Sequence, residues 1–130
     1  MKLMVCYDDS DGATAALKVA ALRARAFNAK VYVVRSIKGG AEVPRVDFAR
    51  AEKGLEQVKA QIETQGIECK TQVSVRGLEP GEDLVQFAKE QNIDEMFVGI
   101  KHKSKVGKLI FGSTAQYVIL KAPCPVLTVK

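Results

Sequence analysis

The sequence predicts an α/β fold built on an open, doubly wound sheet of five mainly parallel strands with four helices. Short apolar runs alternate along the chain with longer segments whose apolar residues recur every three or four positions. This alternation of strand and helix is typical of parallel sheets. The length of 130 residues fits one domain, spanning residues 1–130. Such sheets bind ligands beyond the carboxyl ends of their strands, so the segments that follow each strand are the candidates for function.

The first strand is predicted at Leu3–Tyr7, a continuous apolar run of the kind buried on both faces of a sheet. Asp8 and Asp9 end it, and Ser10 is a suitable N-cap for the helix that follows. Asn28 is predicted to end that helix in a left-handed conformation. The apolar stripe of the helix comprises Ala13, Leu17, Ala20, Ala24 and Phe27.

Val31–Val34 is predicted as the second strand, and the glycine- and proline-containing segment Lys38–Arg45 as a loop. The next helix ends at Gly66. Its stripe has the clearest helical period in the chain and comprises Phe48, Ala51, Leu55, Val58 and Ile62.

Alternating apolar and polar residues over Cys69–Val75 predict a third strand near an edge of the sheet. Arg76–Gly81 is a predicted turn into a third helix, which carries Leu84, Val85 and Ala88.

Met96–Val98 is the predicted fourth strand, and it continues into Gly99. Residues 99–113 are predicted to be a loop. A fourth helix is predicted at Ser113–Leu120, and Val126–Val129 closes the chain as a fifth strand.

The loop between the fourth strand and the fourth helix concentrates positive charge. The chain has 20 Lys and Arg against 15 Asp and Glu, a net charge of +5, and residues 100–111 contain no acid. Glycine lets a backbone approach a phosphate closely, and the first N–H groups of a helix attract anions. Ser113 is placed to donate its hydroxyl. We therefore expect an anion site here, against the alternative of a solvated loop whose glycines only form turns. Its basic residues are Lys101, Lys103, Lys105 and Lys108.

Several classes of site are disfavoured by the sequence. Gly107–Lys108 does not complete a Walker A loop, because His102 stands at the required glycine and Leu109 follows the lysine. The first strand is followed by only one glycine, so the dinucleotide fingerprint is missing as well. The three cysteines form no CxxC pair and there is one histidine, which disfavours zinc sites and nucleophile–histidine catalysis. We expect reduced thiols in a cytoplasmic protein, with neither a signal peptide nor a membrane span.

Asp8 has two interpretations that the sequence leaves open. It can accept a hydrogen bond from a ribose hydroxyl or a base amine in the ligand crevice, or it can serve with its neighbours to cap the first helix. A divalent cation at Asp8, Asp9 and Asp11 is less favoured, since magnesium at nucleotide sites usually keeps waters and phosphates as ligands.

Over nearly its whole length the chain resembles the universal stress protein family. The resemblance rests on Asp8–Ser10 after the first strand, Gly77 and Pro80 after the third, and the C-terminal block Val98–Gly99, Gly112–Ser113 and Ala122–Leu127. It implies a three-layer fold of the flavodoxin-like or adenine-nucleotide-hydrolase-like kind. In the nucleotide-binding branch of the family the phosphate loop has the pattern G-x2-G-x9-G-[ST].

The resemblance implies a site for ATP or a related adenine nucleotide, with magnesium as an optional ion. Here His102 replaces the second glycine of the loop, and Arg35–Ser36 stands where family members commonly have His-Val beside adenine. The implied nucleotide-binding residues are Asp8, Ser36, Val98, Gly99, Lys101, His102, Lys103, Gly112, Ser113 and Thr114.

The leading hypothesis is a cytoplasmic stress-response protein that binds an adenine nucleotide and acts as a regulatory or signalling homodimer. The family resemblance implies that the dimer forms through Val126, Leu127, Thr128 and Val129. The alternative is an interaction module of the same family that binds no nucleotide, its pocket closed by His102. Slow ATP hydrolysis is a weaker hypothesis, because no residue clearly positions a water molecule. Nucleic-acid binding is also weaker, because the loop offers only Phe111 for stacking on bases.

Overall fold

The computed structural model describes residues 1–39, 43–100, 102–103, 107 and 109–130. Strands and helices alternate within them as the sequence predicts. In chain order the elements are β1 (Lys2–Cys6), α1 (Asp11–Phe27), β2 (Lys30–Ser36), α2 (Arg45–Glu63), β3 (Cys69–Ser74), α3 (Pro80–Glu90), β4 (Glu95–Gly99), β5 (His102–Lys103), β6 (Leu109–Ile110), α4 (Ser113–Lys121) and β7 (Val126–Val129).

Five strands form one parallel sheet in the order β3-β2-β1-β4-β7. The chain builds outward from β1 to β3 and then returns to place β4 on the other side of β1. In the centre, Val5 is paired with Val33 of β2 and with Phe97 of β4, and all three are fully buried. Strand order therefore reverses between β1 and β4, which is where doubly wound sheets open a crevice at their carboxyl ends.

Each face of the sheet carries its own core. Alternate residues of β1 point to opposite faces, so Leu3 and Val5 pack with α1 and α2, whereas Met4 and Cys6 pack with α3 and α4. The result is the three-layer α/β arrangement that the sequence predicts.

Local signals in the sequence are confirmed at several element ends. Ser10 is the N-cap of α1, and its Oγ accepts a hydrogen bond from the N–H of Ala13 at 3.1 Å. Asn28 ends α1 with φ of 52°. The strand β3 is an edge of the sheet, with Cys69 and Val73 buried and Gln72 exposed between them.

Two expectations need correction. Phe27 does not belong to the buried stripe of α1: it is 58% exposed, in the last turn of the helix, with the Arg23 guanidinium 5.6 Å from its ring centroid. A cation over the ring thus takes the place of the core contact. The segment 99–113 is not wholly a loop, because β5 and β6 pair antiparallel, His102 with Ile110 and Lys103 with Leu109.

No helix in the described ranges is both long enough and apolar enough to cross a bilayer.

Candidate functional site

A cavity of about 210 Å³ opens at the carboxyl end of the sheet, at the reversal of strand order. It lies among the ends of β1, β2 and β4 and the first turns of α1, α3 and α4. Its lining residues are Cys6, Tyr7, Asp8, Ser10, Ala13, Ser36, Pro80, Leu84, Val98, Gly99, Gly112, Thr114 and Ala115.

The turn from β1 into α1 brings Asp8 to this cavity. Asp8 Oδ1 accepts a hydrogen bond from the backbone N–H of Ser10 at 3.1 Å, while the side chain of Ser10 caps the helix at Ala13. Asp8 is nevertheless exposed and lines the cavity. The two interpretations of Asp8 are therefore compatible: one oxygen orders the turn, and the carboxylate still faces the site.

Asp9 points to a different partner. Its backbone is left-handed, with φ of 64°, and its carboxylate forms an ion pair with Arg35 at the end of β2. Burial raises the pKa of the neighbouring Tyr7 phenol, and the charge of Asp9, together with a hydrogen bond to it, raises that pKa further. Asp9 is not among the residues that line the cavity. In the described part of the chain no three potential ligands cluster as a metal site would require.

The first turn of α1 packs directly on the end of β4. A Cβ atom added to Gly99 would lie 2.2 Å from the carbonyl carbon of Gly12, and one added to Gly12 would lie 2.8 Å from the carbonyl oxygen of Ile100. The two glycines therefore allow backbone to touch backbone here. This contact sets the N-terminus of α1 beside Val98 and Gly99 at the cavity wall.

The start of α4 forms another part of the wall through Gly112, Thr114 and Ala115. Gly112 is its N-cap, with no side-chain hydrogen bond, and its first turn contains no acid. By contrast, Asp11 lies in the first turn of α1, and Glu82 and Asp83 lie in that of α3. Of the three helix N-termini at the cavity, that of α4 is the most favourable for an anion.

Ser36, at the cavity wall, belongs to a hydrogen-bond network around the buried Asp83 that the sequence did not predict. The Ser36 hydroxyl donates to Asp83 Oδ2 at 2.5 Å, and the Ser74 hydroxyl donates to Oδ1 at 2.9 Å. Arg76 donates to the same Oδ1 from Nε at 2.7 Å and is held in turn by Glu90 at 2.7 Å. Asp83 is only 1% exposed, and its charge is balanced by Arg76, whose side chain is itself 32% exposed.

The Cys6 thiol also lines the cavity, and burial raises its pKa to about 12. It is therefore a neutral thiol at ordinary pH and a poor nucleophile. Cys69 is buried as well, and Cys124 is half-buried; all three cysteines are free thiols.

The structure brings six of the ten predicted site residues to one cavity. They are Asp8, Ser36, Val98, Gly99, Gly112 and Thr114. Ser113 is exposed and is not part of the lining. Lys101 lies outside the described residues, as do Lys105 and Lys108, and of His102 and Lys103 only the backbone pairing in β5 is described.

The lining also includes residues that the sequence reasoning did not select. Tyr7 precedes Asp8 and Ser10 lies two residues after it, so their closeness to Asp8 in the chain could have predicted them. Pro80 and Leu84 come from the start of α3. The sequence placed Pro80 in the turn before this helix and among the residues of the family resemblance, and Leu84 in the helix stripe, but neither was predicted as a site residue.

Comparison with known proteins agrees with this architecture. The model of the universal stress protein family matches residues 1–130. A universal stress protein of Thermus aquaticus is 30% identical over 98% of this chain and 97% of its own length. The solved structure of a universal stress protein from Archaeoglobus fulgidus superimposes with a TM-score of 0.87 at 39% identity, covering 100% of this chain and 98% of that one.

A second structure of a universal stress protein from Archaeoglobus fulgidus is a complex with dAMP. It is 37% identical, with a TM-score of 0.86 over 100% of this chain and 98% of that one. The family match over the whole chain, the identities of 30% to 39% and the shared three-layer fold lead to one conclusion: this chain belongs to the universal stress protein family.

Proposed function

We propose that the chain binds an adenine nucleotide in the cavity between β1 and β4 and acts as a regulatory, stress-response protein and not as a catalyst. The observation that carries the proposal is the convergence of Asp8, Ser36, Gly99 and Gly112 around one cavity at the reversal of strand order. The dAMP complex of the Archaeoglobus fulgidus protein supports the choice of an adenine ligand.

The charges around the cavity favour one orientation of the bound nucleotide. The uncapped first turn of α4 and the lysine-rich segment before it attract phosphates. Asp8 and Ser36 follow the neighbouring strands β1 and β2 and line the cavity where a base and a ribose can accept or donate hydrogen bonds without bringing charge. We infer ATP, with magnesium on its phosphates, as the physiological form, because Lys101, Lys103, Lys105 and Lys108 suit more than one phosphate.

Calorimetric titration of ATP and AMP into protein freed of carried-over ligand tests this proposal. We expect saturable binding of both, with ATP tighter in the presence of magnesium. A Gly112→Val variant adds a branched side chain at the cavity wall and should bind at least tenfold more weakly. Gly54→Val, which makes the same change within α2 and away from the cavity, is the matched control. No binding at millimolar nucleotide would refute the proposal.

The alternative, a module that binds no nucleotide, makes the opposite prediction at position 102. If the imidazole of His102 closes the site, His102→Gly creates nucleotide binding that the unmodified chain lacks. If our proposal is right, the unmodified chain already binds and His102→Gly changes the affinity only modestly.

The proposal includes a homodimer formed through β7. In the described sheet β7 is an end strand, paired on one side with β4. On α4, the helix that leads into it, Leu120 is 78% exposed and Ile119 is 40% exposed. An open strand edge beside exposed apolar side chains is a surface that association would cover.

Sedimentation equilibrium tests the dimer. We expect a dimer at micromolar concentration that Leu120→Asp dissociates. Val46→Asp, at a position 62% exposed at the start of α2, is the matched control and should leave the dimer intact. A monomer in the unmodified chain would refute this part of the proposal without affecting nucleotide binding.

A further inference from the structure

The strand β3 lies at the end of the described sheet away from β7 and pairs there only with β2. The carbonyl oxygens of Glu68 and Ser74 each accept a backbone hydrogen bond from the β2 side at 2.9 Å. In a parallel ladder every second residue bonds to the same neighbour, so the even-numbered residues between them bond to β2 as well. The N–H and C=O groups of Thr71 and Val73 therefore point to the open edge, and within the described ranges neither N–H has an acceptor.

One outward carbonyl of β3 already holds a donor of the kind that an added strand supplies. The side-chain amide of Gln72 donates from Nε2 to the carbonyl oxygen of Val73 at 2.7 Å. Gln72 is exposed, so a backbone N–H of another chain can replace this amide without disturbing the core. An edge strand of this kind is a template for pairing with a further extended chain.

Two grooves flank the edge and share Phe48, Gln72 and Val73, so they are continuous along β3. The α2 groove has a volume of about 130 Å³ and the α3 groove one of about 470 Å³. Successive side chains of a strand point to opposite faces, so an added strand places alternate residues in the two grooves. The α2 groove is also lined by Glu52, Leu55 and Glu56, and the α3 groove by Arg76, Phe87 and Glu90.

The α2 groove carries negative charge that no base neutralises. Glu52 and Glu56 lie one turn apart on α2, both exposed, and neither forms an ion pair with another described residue. No Lys or Arg is among the lining residues of this groove. In the α3 groove, by contrast, Arg76 and Glu90 are paired at 2.7 Å and Phe87 supplies apolar surface. A strand that fits both grooves therefore has basic side chains on one face and apolar side chains on the other.

A second copy of this chain fits the edge poorly. The side chains that β3 directs to the α2 side are Cys69, Thr71 and Val73, which bring no positive charge to the groove. Two-fold pairing of two β3 edges would also place both α2 helices on the same face of one continuous sheet. The acids of the two copies would then repel each other.

We propose that the open edge of β3 binds an extended segment of a partner protein as an added strand, and that this segment alternates arginine or lysine with apolar residues. Its main chain pairs with Thr71 and Val73, its basic side chains lie in the α2 groove beside Glu52 and Glu56, and its apolar side chains fill the α3 groove. The whole chain has a net charge of +5, so attraction of a basic segment is a property of this groove and not of the overall charge. Neither groove shares a lining residue with the nucleotide cavity, and β7 is at the other end of the sheet.

A capped hexapeptide that alternates arginine and valine is the probe, since β3 itself has six residues. Titration into the ¹⁵N-labelled full chain should shift the amide signals of Thr71 and Val73 more than those of Lys70 and Gln72, which bond to β2. A hexapeptide that alternates glutamate and valine should not bind at millimolar concentration, because the acids of the α2 groove repel it.

Neutralising the acids of the α2 groove tests the choice of a basic partner. Glu52→Gln combined with Glu56→Gln should weaken binding of the arginine–valine probe about fivefold, as the loss of two exposed ion pairs implies. Glu82→Gln combined with Asp11→Asn is the matched control. It makes the same change in total charge at residues outside both grooves and should leave the affinity unchanged.

Methylation of the backbone nitrogens of the probe tests main-chain pairing. In an added strand only every second N–H faces β3, so methylating the arginine nitrogens and methylating the valine nitrogens must have unequal effects. One of these two peptides should bind about tenfold more weakly than the unmethylated probe, and the other about as tightly. Loss at the arginines indicates an antiparallel added strand, and loss at the valines indicates a parallel one.

Several results would overturn the proposal. They are the absence of binding by the arginine–valine probe at millimolar concentration, equal losses from the two methylated peptides, and equal weakening by the groove and control substitutions. Amide signals of Thr71 and Val73 that shift with protein concentration in the peptide-free chain would assign the edge to a second copy, which also overturns it. Nucleotide binding is measured separately, so none of these results affects the function proposed above.

Discussion

The contact between Gly12 and Gly99 joins the first turn of α1 to the end of β4, and substitution of Gly99 by alanine tests it. The added Cβ would lie 2.2 Å from the carbonyl carbon of Gly12 and 2.3 Å from its carbonyl oxygen. Carbon atoms pack at about 3.5 Å or more, so the start of α1 would have to withdraw by about 1.3 Å. Backbone cannot rotate out of the way as a side chain can.

We expect Gly99→Ala to destabilise the protein by about 3 kcal/mol, the upper end for overpacking a close contact. With an m-value of about 2 kcal/mol/M in urea, the unfolding midpoint should fall by about 1.5 M. Gly54→Ala is the matched control, since its added Cβ, in the middle of α2, has only Asp9 Oδ1 at 4.0 Å. That change should stabilise the protein by about 1 kcal/mol, because alanine is the better helix former.

Urea unfolding followed by circular dichroism at 222 nm measures both variants against the unmodified chain. A free energy of unfolding for Gly99→Ala within about 0.5 kcal/mol of that of the unmodified chain would refute the close contact, because ordinary surface substitutions have effects of that size. Opposite signs for the two glycine-to-alanine changes would support it.

Two further outcomes are expected. Ser10→Ala removes the side-chain cap at Ala13 and should lower the free energy of unfolding by about 1 kcal/mol in the same urea assay. Ser10→Asp should retain most of the capping stability. An unchanged midpoint in Ser10→Ala would contradict the capping role. The pKa of the Cys6 thiol is about 12 in the native protein against an ordinary 9.0, so the unfolded chain ionises first as pH rises. The stability due to this group is complete below pH 9 and is lost toward pH 12. The loss should reach about 3 kcal/mol by pH 11 relative to Cys6→Ala, and parallel pH curves for the two proteins would contradict it.

The sequence was sufficient to predict the four helices, the five strands of the main sheet and many of their ends, but not the short pair β5 and β6. The helical period of Phe48 to Ile62 predicts α2, and the continuous apolar run after Lys2 predicts a strand buried on both faces; both are confirmed. The prediction that Phe27 is buried was wrong, because a helical stripe in the sequence does not show which turns of the helix are covered: Phe27, in the last turn, is 58% exposed and packs against Arg23.

The candidate site could be predicted in outline but not in its chemistry. Asp8, Gly99 and Gly112 each follow a strand or precede a helix, so the general position of a site at the strand ends predicts them. Asp83 gave no such signal, because an acid in the first turn of a helix is ordinary and usually exposed. Only the parallel pairing of β2 with β3 brings Ser36 and Ser74 side by side beneath it.

The sequence by itself thus determined the five strands of the main sheet, the four helices, the fold class and the end of the sheet that carries the candidate site, because periodicity and capping act over a few residues. The tertiary structure decided which side chains meet. Ser36 and Asp83 are 47 residues apart in the chain, and Gly12 and Gly99 lie on different elements. Their contacts depend on the order of strands and the packing of helices on the sheet, which local sequence patterns do not encode.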